Sequence, residues 1–203
     1  MTTLLDVRDL RVGFSGVDVV HRIGFTIQAG EKLALVGESG SGKTVSALSL
    51  LRLVQNAQVQ GSALLEGRDL LQLSERELRA VRGDEVAVIF QEPMTALNPL
   101  YTVGEQIAEV LQLKRGMTAA QARQEVVALL ASTGIPEPER RAGAYPHQLS
   151  GGQRQRIVIA MAVILKPALL ICDEPTTALD VTTQREILAL IKQLQQEQGS
   201  AVL

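Results

Sequence analysis

Eight consecutive residues, Gly37-Glu38-Ser39-Gly40-Ser41-Gly42-Lys43-Thr44, carry the most specific chemistry in this chain. They fit the pattern G-x-x-x-x-G-K-[ST], in which glycines let successive backbone N–H groups converge on phosphate oxygens while the following helix adds its positive N-terminal end. A lysine in the place of Lys43 reaches the β- and γ-phosphates of a nucleotide, and the hydroxyl of Thr44 is a ligand for Mg²⁺. Average residue usage gives a chance match in a chain of this length roughly one time in a hundred. The pattern therefore predicts a nucleoside triphosphate site.

A second group of residues lies in ALLICDEP, where Asp173 and Glu174 end a buried apolar run. Open parallel sheets present ligand groups at the C-terminal ends of their strands. Asp173 there holds Mg²⁺ through water. Glu174, one residue on, points to the other side of the strand end and polarises an attacking water as general base. Two carboxylates closing a strand would mean little alone; the phosphate-binding pattern upstream is what gives them a role. A third motif, Leu149-Ser150-Gly151-Gly152-Gln153, precedes the helical run IVIAMAVIL and again puts small residues and free N–H groups at a helix start. A second anion site on one chain is explained if it serves a nucleotide held by another copy.

Such groups need strands and helices in a fixed order to bring them together. LLDVRDLRVGF and VDVVHRIGFTIQ alternate roughly in polarity around Ser15-Gly16 and predict an antiparallel ribbon. KLALV (32–36) is a short buried strand ahead of the glycine-rich loop, and a helix follows over about 43–54. GSALLEG is a further strand, Ser74 with Glu77 has capping-box spacing, and EVAVIF (85–90) is another buried strand. Two amphipathic helices are expected near 102–114 and 118–132, with Thr102/Glu105 and Thr118/Gln121 as capping boxes and Gly134-Ile135-Pro136 as a stop. Alternation then resumes with a helix over about 151–165, the strand ALLICD, a helix near 183–197, and AVL. Short aliphatic strands alternating with helices predict an α/β fold whose sheet is covered on both faces.

The chain has 203 residues, a net charge of −2 and one cysteine. This length supports one domain with an inserted subdomain. A slightly acidic balance supplies no field for a nucleic-acid backbone, so nucleic acid is not an expected partner. Cys172 cannot form an internal disulfide and reads as a small hydrophobe, which suits a reducing compartment. No apolar run reaches the length of a membrane span.

Taken together, the G-x-x-x-x-G-K-T loop, ALLICDEP and LSGGQ resemble the ATP-binding cassette (ABC) family, over essentially the whole chain. IFQEPMTALNPLYTVGEQI, YPHQLSGGQRQR and CDEPTTALDV are similar to cassettes of importers for peptides, glutathione, nickel and microcin C. The resemblance implies a P-loop NTPase (RecA-like) core over 1–92 carrying the antiparallel β subdomain, a helical subdomain over 93–153 ending in the signature, and the rest of the core over 154–203. It places Phe14, 23 positions before Gly37, as the adenine-stacking aromatic, with a core Phe as the competing reading. Gln91 resembles the glutamine that contacts Mg²⁺ or the water and senses the transport subunit. Ser150, Gly151, Gly152 and Gln153 would bind the nucleotide of a second copy. Ala178-Leu179-Asp180 resembles the loop that crosses the dimer interface, and Asp180 also suits a helix N-cap. His147 is expected to orient its loop, and His21 to lie half-exposed in a strand.

The same resemblance implies an ATPase, with ATP and Mg²⁺, that energises an importer and lies peripherally on the cytoplasmic side of the inner membrane. Its partners would be a second cassette, in a homodimer, heterodimer or tandem, the transmembrane permease subunits and, indirectly, a solute-binding protein. Two cassettes would close head to tail around two MgATP. The family's switch histidine is expected a few residues beyond AVL, so residues 1–203 read as C-terminally truncated, and alone they should bind MgATP weakly and hydrolyse little. The alternative is a soluble cassette protein of translation or DNA repair acting as a nucleotide-gated clamp. The short helical insert, without long coiled-coil segments, favours the transport reading.

Overall fold

The computed structural model describes residues 2–91, 96–177 and 179–203. Residues 92–95, the first half of EPMTALNP, and Ala178 lie outside the described residues. The chain divides into two compact units, Met1–Ala87 with Pro167–Asp173 and Gln198–Leu203, and Val88–Lys166 with Glu174–Glu197.

In the first unit β1 (Thr3–Phe14) and β2 (Val17–Gln28) form the expected antiparallel ribbon. With β3 (Gln58–Leu65) and β4 (Arg68–Asp69) they make a four-stranded sheet in the order β2-β1-β3-β4. Leu5, Leu10, Val12 and Leu65 are fully buried on it. A second sheet runs β5 (Val86–Ile89), β6 (Leu169–Cys172) and β7 (Ala201–Val202), and β6 and β7 are parallel. Leu169 donates its N–H to the carbonyl of Glu85 at 3.0 Å, just ahead of β5. These sheets realise the α/β expectation.

The strand predicted at 32–36 is not formed. Only Lys32 bridges to Val202, and Leu33 donates to the Val202 carbonyl at 2.9 Å. Ala34 to Val36 have no strand bridge among the described residues. Val36 is 93% exposed. The next helix, α1 (Lys43–Ser49), stops short of the expected residue 54, because Arg52 turns into the left-handed region at φ 50° and Leu53 bonds back to the Leu48 carbonyl.

The second unit is mostly helical. Helix α2 (Glu75–Asp84), capped by Ser74 and Glu77, still belongs to the first unit. Helix α3 (Val103–Arg115) buries Val103, Ile107 and Leu111, and α4 (Ala119–Ser132) buries Ala122, Val126 and Leu130. Both stripes have four-residue spacing, which keeps them on one helix face. The capping boxes expected at Thr102/Glu105 and Thr118/Gln121 are both present. The Thr102 hydroxyl and N–H hold the Glu105 carboxyl below its ordinary range. Truncating fully buried Ile107 to Ala would cost about 2–5 kcal/mol.

After the short α5 (Pro138–Ala142) and a 3-10 turn at Pro146–Gln148, neither of which the hydrophobic pattern predicted, come α6 (Gly151–Val163) and α7 (Val181–Gln198). No helix among the described residues is long and apolar enough to cross a membrane.

Candidate nucleotide site

The glycine-rich loop opens α1, and its backbone requires glycine. Gly42, the N-cap, has φ 88°, and a Cβ there would lie 3.3 Å from the carbonyl of Val19 on β2. Left-handed backbone at this point turns successive N–H groups inward, a cradle for an anion at the helix start. Lys43 folds back over the loop, its Nζ donating to the carbonyls of Gly37 and Glu38 at 2.9 Å each. A phosphate oxygen, being charged, accepts from an ammonium more strongly than these neutral carbonyls do. Ser39, Gly40 and Ser41 complete the exposed turn between them.

Thr44, on the first turn of α1, donates its hydroxyl to Asp173 Oδ1 at 2.7 Å, across 129 positions of sequence. Asp173 follows β6 and is only 8% exposed. Phosphate loop and strand-end carboxylate thus meet in the first unit through a hydroxyl and a carboxylate, both hard oxygen donors of the kind Mg²⁺ takes. Phe14 ends β1, half-buried and paired opposite Val17 at the tip of the ribbon.

The second unit brings together two further residues expected at the site, Gln91 and Glu174. Glu174 Oε2 accepts from the Gln91 side-chain amide at 3.0 Å and from the Thr177 hydroxyl at 3.1 Å. Glu174 also has φ 45°, a left-handed backbone that a non-glycine residue holds only where its surroundings impose it. The turn behind it is closed by Thr177 N–H to the Glu174 carbonyl at 3.2 Å.

At the signature, Ser150 caps α6. Its Oγ accepts from the Gln153 N–H at 3.3 Å, and Gln153 Oε1 accepts from the Ser150 N–H at 3.1 Å. This is a capping box that the sequence reading did not name, and it gives Ser150 and Gln153 fixed conformations. An accepting hydroxyl still has its hydrogen to donate, so the box is compatible with an anion beyond it. At Gly152 a Cβ would sit 2.9 Å from Thr183 Cγ2 on α7, so a larger residue there would have to displace that side chain. Asp180 caps α7, accepting from the Thr183 N–H at 3.0 Å and its hydroxyl at 2.6 Å, as the N-cap reading expected. His147 stacks on Tyr145, their ring centroids 5.7 Å apart, consistent with a role in shaping its loop.

Three residues that hold this region were missed: Thr177, Gln155 and Gln184. Gln155 had a sequence signal, because it lies in register with Ile159 and Val163, a polar residue on a buried stripe of α6.

A glycine-rich phosphate loop whose threonine bonds a carboxylate at the end of a buried strand defines a P-loop nucleotide-binding core. The chain belongs to the ABC transporter family, which it matches over residues 20–177. It is 53% identical to the peptidoglycan transport ATP-binding protein YejF of Agrobacterium fabrum, over 98% of this chain and 38% of that protein. It is 49% identical to the oligopeptide transport ATP-binding protein OppD of Salmonella typhimurium, over 98% of this chain and 61% of that protein. The chain thus spans less than two thirds of the length of these curated relatives. Among solved structures, the dimeric post-hydrolysis state of the ATP-binding cassette MJ0796 bound to ADP and Pi superposes with a TM-score of 0.84, at 30% identity over 98% of this chain and 85% of that one.

Proposed function

We propose that this chain is the ATP-binding and ATP-hydrolysing cassette of an importer for peptides or related small solutes. The observation that carries the reading is the Thr44–Asp173 hydrogen bond, which joins the phosphate loop to the strand-end carboxylate. Lys43 and the loop N–H groups bind the β- and γ-phosphates, and Phe14 stacks on the adenine. Thr44 and Asp173 would hold Mg²⁺, which would supply charge neutralisation at the transferring phosphoryl group. Glu174 takes a proton from the attacking water, and the Gln91 and Thr177 donors fix its orientation.

Ser150, Gly151, Gly152 and Gln153 serve the nucleotide of a second cassette, so two chains close head to tail around two nucleotides. Tighter binding of the triphosphate to the closed arrangement is what drives the change. The helical unit, with Gln91 and the EPMTALNP stretch, faces separate permease subunits on the cytoplasmic side of the inner membrane, and a solute-binding protein delivers cargo to them. The peptide assignment rests on the names of the relatives, and the cargo itself is set by other chains.

The test is Glu174→Gln in the full protein assembled with its permease. Nucleotide binding should persist while hydrolysis falls by roughly 10² to 10⁴. Turnover at the parent rate would remove Glu174 from the base role.

A further inference from the structure

Gln155 is fully buried on α6, in the stripe with Ile159 and Val163. Its Nε2 donates to the carbonyl of Pro175 at 2.7 Å, while its Oε1 is buried with no hydrogen-bond partner among the described residues. An orphaned buried acceptor is destabilising, and an aliphatic residue would complete the stripe without one. The donor is therefore what the position gains. Pro175 is the residue after Glu174, and the same turn is held from α7 by Gln184, whose Nε2 donates to the carbonyls of Thr176 and Leu179 at 3.0 and 3.1 Å.

We propose that Gln155 is a positioning residue for the general base, tying the helix that begins with the signature to the turn that carries Glu174. This rests on the cassette reading above. In that reading the nucleotide of the second copy docks at Ser150 and Gly152, and Gln155 follows within about one turn of Gly152 on the same helix. A movement of α6 caused by that nucleotide is passed through Gln155 to the Pro175 carbonyl and so to Glu174, which acts on the other nucleotide. Occupancy of the signature in one chain then sets the alignment of that chain's own base, coupling the two sites.

The experiment uses the full protein in its permease assembly, with Gln155→Leu and Gln155→Met. Both keep the side chain long and remove the donor. The expected result is a kcat roughly tenfold lower, about what one lost hydrogen bond to a positioning carbonyl allows, with KM for MgATP changed less than twofold. In the Glu174→Gln background, MgATP retained through gel filtration should be the same with and without Gln155→Leu, because the phosphate loop and signature are intact. An unchanged kcat overturns the proposal. So does a parallel loss of turnover and nucleotide retention, or failure of both variants to fold, since Gln155 would then support the signature helix or the fold and not the base. If Glu174→Gln itself retains no nucleotide, the shared-site reading fails, and the kcat-against-KM split still decides the role of Gln155.

Discussion

Gln91 donates its side-chain amide to Glu174 Oε2 at 3.0 Å, although 83 positions separate the two in sequence. The base proposed for hydrolysis is thus anchored by a residue that follows β5, and any shift of that loop changes its aim. Gln91→Ala should lower kcat by three- to tenfold, below the roughly 10- to 100-fold of a fully buried bond to a charged acceptor, because Gln91 is exposed. Nucleotide affinity should change less than twofold. Steady-state kinetics beside calorimetry checks this, and an unchanged kcat would make the bond a resting contact only.

Lys43→Ala should abolish detectable MgATP binding. The substitution removes the ammonium that now bonds the Gly37 and Glu38 carbonyls, leaving two phosphates uncompensated. Isothermal titration with unchanged affinity would contradict the phosphate-loop assignment.

Thr177 gives a sharper test of how the base is held. Thr177→Val keeps the shape and deletes the hydroxyl that reaches Glu174 Oε2, so kcat should fall about three- to tenfold for one lost partly exposed bond. Thr177→Ser should restore most of it. Full activity in Thr177→Val with a loss in Thr177→Ser would instead point to packing by the methyl group.

Cys172 should be inert. Some of the residue remains accessible at the end of β6, but desolvation pushes its thiol up to about 12. Thiolate is the reactive form, so alkylation at pH 8 should be slow in the folded protein and fast in denaturant. Since the folded value lies above the unfolded one, the thiol's contribution to stability is complete below the unfolded value and is lost as pH rises toward the folded one. Rapid labelling of native protein would show β6 opening.

The cap of α7 has the opposite pH dependence. The Thr183 hydroxyl, then its N–H, lower the Asp180 carboxyl. Its contribution is therefore present above the ordinary aspartate range and fades as pH falls through the depressed folded value. Protection of the Thr182 and Thr183 amides, taken relative to their intrinsic exchange rates, should fall on acidification and lose that pH dependence in Asp180→Asn. Constant protection across this range in the parent would exclude an ionic cap.

Much of the site was readable because its residues are contiguous. The loop 37–44, the pair Asp173-Glu174 and the run 149–153 each keep their chemistry in consecutive positions, and short-range capping rules located α3 and α4 to within a residue or two. Pairings that depend on distant partners were less accessible. KLALV has strand composition, yet its ladder is limited to Lys32 and Val202, a fact about a neighbour and not about the run itself. Gln155 and Gln184 act on backbone carbonyls up to 20 positions away, and no side-chain motif marks a carbonyl as a target.

The left-handed backbone at Glu174 sets the needs of folding against those of chemistry. Glycine, asparagine or aspartate would hold that conformation at lower cost, while only glutamate offers both the reach and the basicity that a water needs. Selection for hydrolysis must keep glutamate there against a constant conformational preference for other residues. In a lineage relieved of that selection, this position should be among the first to drift, with the surrounding turn intact, because Pro175, Thr176 and Leu179 are held through their carbonyls and not through this side chain.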